Sequence, residues 1–452
     1  MKNSLFLKML TIAGLLLVLV VPLMMIQGKV SERENEAWQV RSSLSEQVGG
    51  EQILSGPVIV VKRITKKLQE KSNCKKDEKC TYWKHSTTHF RYIPEILAVN
   101  GKMKTEMRFR GIYGSPMYRS LLQIEAQMPV FREPVQKPEV LVSEEAMIIT
   151  HVSALRGLVE LPSFMVNGKL LALIETDELP SGLGENVVAA RLPGDLRGPF
   201  SVQIRLNLNG AESLSFVPLA KQTEVNLQSD WPHPSFEGLV LPVDREISGA
   251  GFNSRWRTNS LASSSAIHCA RNQGLCLDRD ESLRVRLVQP VTGLLSSERA
   301  LKYSFLIVGL TFAAFFLFEV LRRYPLHAMQ YLLVGLALAM FYLLLVALSE
   351  HIDFVWAYLA AALSCCALIG VYLMAVMRSP GSGWGFAGSL LLVQGLIYGI
   401  LMAEDYALLL GALLLFVALS AVMLVTRKLD WYSFAAAGRG NPKAMPVTGS
   451  AS

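Results

Sequence analysis

The chain has 452 residues, 51% of them hydrophobic and 18% charged, with a formal net charge of +7 and a mean hydropathy of +0.33. That is too apolar for an ordinary water-soluble protein and far too apolar for a disordered one. The basic balance raises nucleic acid as a partner, but its distribution removes it. Lys2, Lys8, Arg322, Arg323, Arg378, Arg427, Lys428, Arg439 and Lys443, with Glu319 and Asp430, account for the whole +7 once placed on one side of a membrane.

Six apolar stretches reach the roughly 20 residues that a bilayer core demands. They are 9–27, 303–321, 328–348, 354–377, 384–402 and 406–426. The first is long for a signal peptide, and no small-x-small pair falls between Pro22 and Val30. It therefore reads as a retained anchor behind a short basic start, residues 1–8. The loops 322–327 and 378–383 carry arginine, whereas 349–353 and 403–405 carry Glu350, Asp353, Glu404 and Asp405 and no base. Positive charge stays inside. This places both termini, including the tail 427–452, in the cytoplasm, and residues 28–302 outside it.

The outer segment begins as a helix over Lys29–Val48, which Gly49-Gly50 stops. Beyond it the period is two. Val202, Ile204, Leu206 and Leu208 share one face of Ser201–Gly210, and Met107–Tyr113, Thr223–Gln228 and Leu283–Val288 repeat the pattern. Asn100-Gly101 and Asn167-Gly168 read as tight hairpins. The fold class is thus a membrane α-helical bundle of six transmembrane helices plus a large all-β, antiparallel domain of sandwich type.

Cys74 and Cys80 are separated by five residues, and Cys269 and Cys276 by six. Outside the cytoplasm such close pairs read as local disulfides. A zinc site formed by Cys74, Cys80, His85 and His89 is the competing reading, and its loose spacing and oxidising compartment weigh against it. Cys365 and Cys366 lie mid-span as packing residues.

No phosphate-binding loop, zinc-protease motif or nucleophile-elbow motif is present. The spans hold no Asp, Lys or Arg near mid-depth, and their few polar residues, Thr311, Ser364, Ser389, Gln394 and Ser420, suit helix–helix contacts. Glu319 is expected to pair with Arg322 or Arg323, and a protonation switch at Glu319 and His327 is the sharper alternative. Glu350, His351, Asp353, Glu404 and Asp405 form an acidic collar. It is either a by-product of the charge rule or a contact site countered by Arg299, Lys302 or a divalent cation. Trp231, Pro232 and Phe236 mark an aromatic–proline stretch that suits a core corner better than a recognition loop. Arg156-Gly157 stays open between packing and function.

The chain resembles the bacterial inner-membrane CreD family. The resemblance rests on Tyr92-Ile93-Pro94-Glu95, Arg110-Gly111-Ile112-Tyr113, the stretch Trp231 to Phe236, Ser349-Glu350-His351, Asp405-Tyr406-Ala407 and Asp430-Trp431-Tyr432, among others. It covers nearly the whole chain, apart from the segment around Cys74 and Cys80, which looks added. The resemblance implies a periplasmic outer domain, an envelope-maintenance role tied to colicin tolerance and envelope stress, and no enzymatic activity or cofactor. The expected partners are membrane lipids and an unidentified periplasmic or inner-membrane protein. The alternative is a lipid or small-molecule transporter, using a cavity among the C-terminal spans lined by Gln394 and Thr311.

Overall fold

The computed structural model describes residues 4–70, 81–131, 139–175, 179, 186–194, 196, 198–270, 280–289, 293–322, 326–377, 380–403 and 406–427. It divides into two units, Met1–Glu36 with Val291–Ser452, and Ala37–Pro290. The boundary falls inside one helix, α1 (Ser4–Gln47), which Pro22 does not interrupt. The helix ends where expected. Gly49 and Gly50 take φ of 104° and 67°, and Gly50 N donates to Ser45 O at 2.8 Å, a left-handed cap that glycine adopts without a Cβ penalty.

The second unit is built from strands. The first five are long: β1 (Gln52–Glu70), β2 (Thr81–Tyr92), β3 (Ile96–Arg110), β4 (Tyr113–Met128) and β5 (Val140–Val152). Four shorter ones follow: β6 (Ser163–Val166), β7 (Lys169–Leu170), β8 (Leu173–Ile174) and β9 (Val187–Arg191). Next come β10 (Phe200–Ala211), β11 (Ser213–Val217), β12 (Gln222–Ser229), β13 (Pro234–Gly238), β14 (Asp244–Ser248) and β15 (Gly251–Asn259). A short helix, α2 (Ser265–Ala270), precedes β16 (Leu283–Leu287).

These strands make two eight-stranded sheets. One runs β13-β16-β11-β1-β5-β9-β8 with β2 added alongside β1, and the other runs β14-β15-β12-β3-β4-β10-β6-β7. Ile59, Val61, Ile148 and Val285 of the first share a core with Leu122, Ile124, Ile204, Leu206 and Trp256 of the second. The first sheet is also covered on its other face, where Val58, Val60, Met147 and Ile149 pack with Leu219 and Cys269. Burial on both faces explains why Val58–Val61 and Ala146–Ile149 are unbroken apolar runs rather than alternating ones.

Three sequence expectations need correction. The sheets are not purely antiparallel, because β1 pairs with β11 in parallel and so does β12 with β3. Asn100-Gly101 is no hairpin, since it lies inside β3. A Cβ at Gly101 would come within 2.7 Å of Leu227 and 2.8 Å of Leu122, so this glycine lets side chains from two strands close over the backbone. The turn comes at Gly111 instead, with φ of 64°, so Met107–Tyr113 is not one alternating strand but the end of β3 and the start of β4. Asn167-Gly168 does turn, both residues having positive φ (47° and 80°) between the paired Val166 and Lys169.

The first unit is helical. Its further helices are α3 (Gly293–Lys302), α4 (Ser304–Arg322), α5 (Ala328–Ser349), α6 (Phe354–Met377), α7 (Pro380–Met402) and α8 (Ala407–Thr426). Among the described residues, four helices are long and apolar enough to cross a membrane, lying in Lys8–Gln47, Ala328–Ser349, Phe354–Met377 and Gly383–Met402. The pair α3 and α4, bent by 43°, supplies a fifth if taken as one span, and Leu409–Leu424 is a shorter apolar helix. Leu19, Leu23, Ile26 and Val30 form the buried stripe of α1, against Phe312, Tyr331, Leu338 and Tyr342. Small residues bring α6 and α7 together: a Cβ on Gly370 would sit 2.9 Å from that of Ala387.

Gly101→Val should lower the stability of the β-rich unit by about 1–3 kcal/mol through overpacking. Gly249→Ala, where a Cβ meets nothing within 4 Å, should leave it unchanged. Thermal unfolding of the purified full-length protein, followed by its β-sheet circular dichroism, checks the contrast.

Candidate functional site

Of the expected collar, Glu350 meets α1. Glu350 caps the C-terminal end of α5, and its carboxylate meets Arg33 at 3.3 Å. Arg33 is thus one counter-charge to Glu350, and Lys302 pairs within its own helix with Glu298 at 3.1 Å. Ser349 beside it shares a hydrogen bond with Ser297 at 2.9 Å. His351 and Asp353 are exposed, and the Asp353 carbonyl accepts the first-turn N–H of Ala357 at 3.0 Å. Glu404 and Asp405 lie outside the described residues. Glu34, one helical turn beyond Val30 on α1, has its pKa raised by burial and by the neighbouring Glu298.

The aromatic–proline stretch forms a corner. Trp231 is 8% exposed, and its indole N–H donates to the carbonyls of His233 and Val288, each at 3.1 Å. Pro232 bridges the turn, and Pro234 opens β13, the edge strand of its sheet, where a missing donor costs no ladder bond. Phe236 stands edge-on to Phe252 and Trp256 with centroids 5.7 and 5.6 Å away. Asp230 fastens the corner to β3 by accepting from Thr105 N at 2.8 Å and Thr105 Oγ1 at 2.7 Å.

His85 and His89 lie on β2, in register with Lys66 and Lys62. Cys74 and Cys80 lie outside the described residues, as does Cys276. Among the described residues no group of three or more His, Cys, Asp or Glu is placed to hold a metal ion. Among the described cysteines, Cys365 and Cys366 are free thiols and Cys269 is not.

A polar cleft in the β-rich unit went unseen in the sequence. It encloses about 320 Å³ and is lined by Trp38, Arg41, Glu46, Glu51, Ser153 and Glu212, among others. Glu212 joins β10 to β11, which belong to different sheets. The crossing holds it at φ of 64°, a left-handed conformation unusual for a residue with a side chain. Its backbone is pinned on both sides, N–H to Pro116 O at 3.2 Å and C=O from Leu287 N at 2.7 Å. Burial pushes its pKa up and Glu51 adds to the rise, against the opposing pull of Arg286 and Arg41. Glu51 itself meets Arg286 at 3.5 Å.

Arg41 brings a buried Nε with no partner to the same cleft. Backbone strain, a perturbed carboxyl and an unsatisfied donor in one concave place make this the candidate binding site. The cleft's rim also resolves Arg156-Gly157. Arg156 donates to Glu46 O at 3.1 Å, while a Cβ on Gly157 would lie 2.6 Å from Asn209 O. The only sequence sign was the break in alternation after Gly210, where Ala211-Glu212 separates two strand patterns.

In the helical unit, Glu319 pairs with Lys8 and accepts from the Tyr331 hydroxyl at 3.0 Å. The expected arginine partners, Arg322 and Arg323, have no described side chains. Lys8 could have been found by depth, since Lys8 and Glu319 both sit at the basic ends of their apolar stretches. His327 starts α5 through a capping box, its Nδ1 accepting from Met329 N at 3.2 Å and its N–H donating to Gln330 at 3.0 Å. Deep in the unit, Gln394 is fully buried, and Tyr358 donates to its carbonyl and side-chain oxygens at 2.8 and 2.9 Å.

Lys8→Met and Glu319→Gln should each cost about 1–3 kcal/mol, because each leaves the other charge uncompensated beside apolar surface. The double variant should lose less than the sum. Unfolding of the four proteins in one detergent gives the cycle, and additive losses would refute the coupling.

The family described as Inner membrane protein CreD matches residues 4–432. The chain is 36% identical over 436 residues to the Inner membrane protein CreD of Escherichia coli, covering 96% of this chain and 95% of that one. Among solved structures, a substrate-bound M1 zinc metallopeptidase mutant from Deinococcus radiodurans overlaps 36% of this chain and 38% of its own, at 10% identity and a TM-score of 0.19. That overlap carries no argument. The sequence match, by contrast, runs through the helical and the β-rich unit alike, and the chain belongs to the CreD family of inner membrane proteins.

Proposed function

We propose that this protein is a non-enzymatic envelope-maintenance component, whose β-rich unit binds a partner in the periplasm while six spans hold it in the inner membrane. The observation that carries the reading is the cleft around Glu212. It offers carboxyls from Glu51 and Glu212 and a guanidinium from Arg41. Directed hydrogen bonds of both signs suit recognition of a polar partner surface. Orientation rests on the arginines of the inner loops and the acids of Ser349–Asp353 and Ala403–Asp405. The transport alternative has no observation behind it: Thr311 turns back to Ile307 O at 2.7 Å, and Gln394 is held by Tyr358.

A photo-crosslinking residue in place of Ser42, at the cleft, should capture one discrete partner in intact cells. Adding Glu212→Gln with Arg41→Ala should abolish the adduct and the rescue of an envelope-stress defect, with insertion unchanged. Undiminished rescue by that variant would overturn the reading.

Local bridges, Cys74–Cys80 and Cys269–Cys276, belong to the same proposal. Cys269 packs against Val58 and Val60, whereas Thr81, next to Cys80, pairs with Glu70. Ten residues of strand separate those places, about 30 Å, and a disulfide needs Cα atoms within about 7 Å. Glu281 also ties the ends of the second loop together, accepting from Ser265 N at 2.7 Å and Ser263 Oγ at 2.8 Å. In spheroplasts, a membrane-impermeant reductant should release four thiols for labelling after denaturation. Unreduced protein should label only at Cys365 and Cys366, and any further thiol there would refute a bridge.

A further inference from the structure

β5 accompanies β1 as far as Lys66, and beyond it β1 and β2 continue as a ribbon whose β2 strand is exposed along most of its length. Its register pairs basic residues. Lys66 faces His85 and Lys67 faces Lys84 across the strand pair. Residues directly opposite in an antiparallel pair share a face, and the like charges of Lys67 and Lys84 repel there. Arg63 is neutralised by Glu144 at 2.8 Å, and Lys62 lies opposite Glu145 of β5, but no acid bridges Lys66, Lys67 or Lys84 among the described residues. The outer part of the ribbon therefore keeps a positive field.

Exposed apolar side chains accompany that charge. Leu68 and Trp83 are register partners, 49% and 48% exposed, and Tyr82 is 47% exposed. Lys66 Nζ lies 4.9 Å from the centre of the Trp83 ring. Lysines alone would be accounted for as protection of an edge strand against pairing. An open tryptophan, tyrosine and leucine among them would not, since they add the apolar surface that such protection avoids. Amphipathic rings beside ammonium groups are the composition that settles at lipid headgroup depth, and anionic headgroups attract each lysine.

We propose that this ribbon docks end-on at a bilayer surface bearing anionic phospholipid headgroups, so that both of its faces meet them, Lys66, Leu68 and Trp83 from one face and Lys67, Lys84 and Tyr82 from the other, the lysines on the phosphates and the apolar side chains among the headgroups. The bound phosphates would relieve the Lys67–Lys84 repulsion. The site is independent of the cleft around Glu212, so either can fail alone.

The test uses full-length protein in phosphatidylcholine nanodiscs, mixed with phosphatidylglycerol-containing or pure phosphatidylcholine vesicles and floated. Only the anionic vesicles should carry the protein, less so as salt rises. Replacing Lys66, Lys67 and Lys84 by Gln should weaken capture by up to roughly a hundredfold, about fivefold per lysine. Trp83→Ser should weaken it several-fold. Should the triple variant misfold, Lys84→Glu at the exposed edge carries the test by itself. Capture of neutral vesicles, or charge variants that bind as well as the parent, would overturn the proposal. So would sensitivity to the lysines with none to Trp83, which would mark a soluble polyanion or acidic protein as the occupant.

Discussion

The β-rich unit depends on one strand having all its surroundings satisfied at once. β1 pairs with β5 along one edge and with β11 and then β2 along the other. Both faces of its centre are covered, Ile59 and Val61 by one core and Val58 and Val60 by another. A strand placed this way has no solvent edge or face at its middle, so its residues must be apolar without alternation. The same strand leaves the core at Lys62, and from there its chemistry changes to cationic and aromatic. Two of the unit's features thus hang on one element: a rigid centre that positions the Glu51–Gln52 end beside the cleft, and an exposed extension.

The helical unit handles charge differently. There two ionisable groups of α1 meet partners from elements distant in sequence, Lys8 with Glu319 and Arg33 with Glu350. Both partnerships use α1, which is also the source of the apolar stripe from Leu19 to Val30. An apolar helix has little to fix its rotation against equally apolar neighbours. A charged group on the helix supplies that information, because only one rotation brings Lys8 to Glu319.

Much of this was legible in the sequence because hydrophobic period reports burial directly. The alternation of Ser201–Gly210 reappears as β10 with every second residue buried, and Gly49-Gly50 ends α1 as its residue type requires. What stayed hidden depended on contacts between distant residues. Gly101 looked like a turn because asparagine–glycine suits one, whereas Leu122 and Leu227, which close over it, lie 21 and 126 positions away. Glu212 drew no expectation from the sequence, because its strain exists only where the chain changes sheets. The partner of Glu350 was sought nearby at Arg299 and Lys302, while Arg33 is more than 300 residues earlier.

The parallel pairing of β1 with β11 sets the order in which the unit can be assembled. Gln52 finds its partner at Leu214, and β11 in turn needs β16 near residue 285. The opening strand of the domain therefore stays incomplete until almost the whole domain has been synthesised, with a large entropic cost of loop closure before any contact repays it. Val58–Val61 finds β2 and β5 much sooner, so it is the Gln52–Ser55 end of the strand, beside the cleft, that waits with an unpaired edge. The cleft end of the domain is therefore the last part of β1 to be completed.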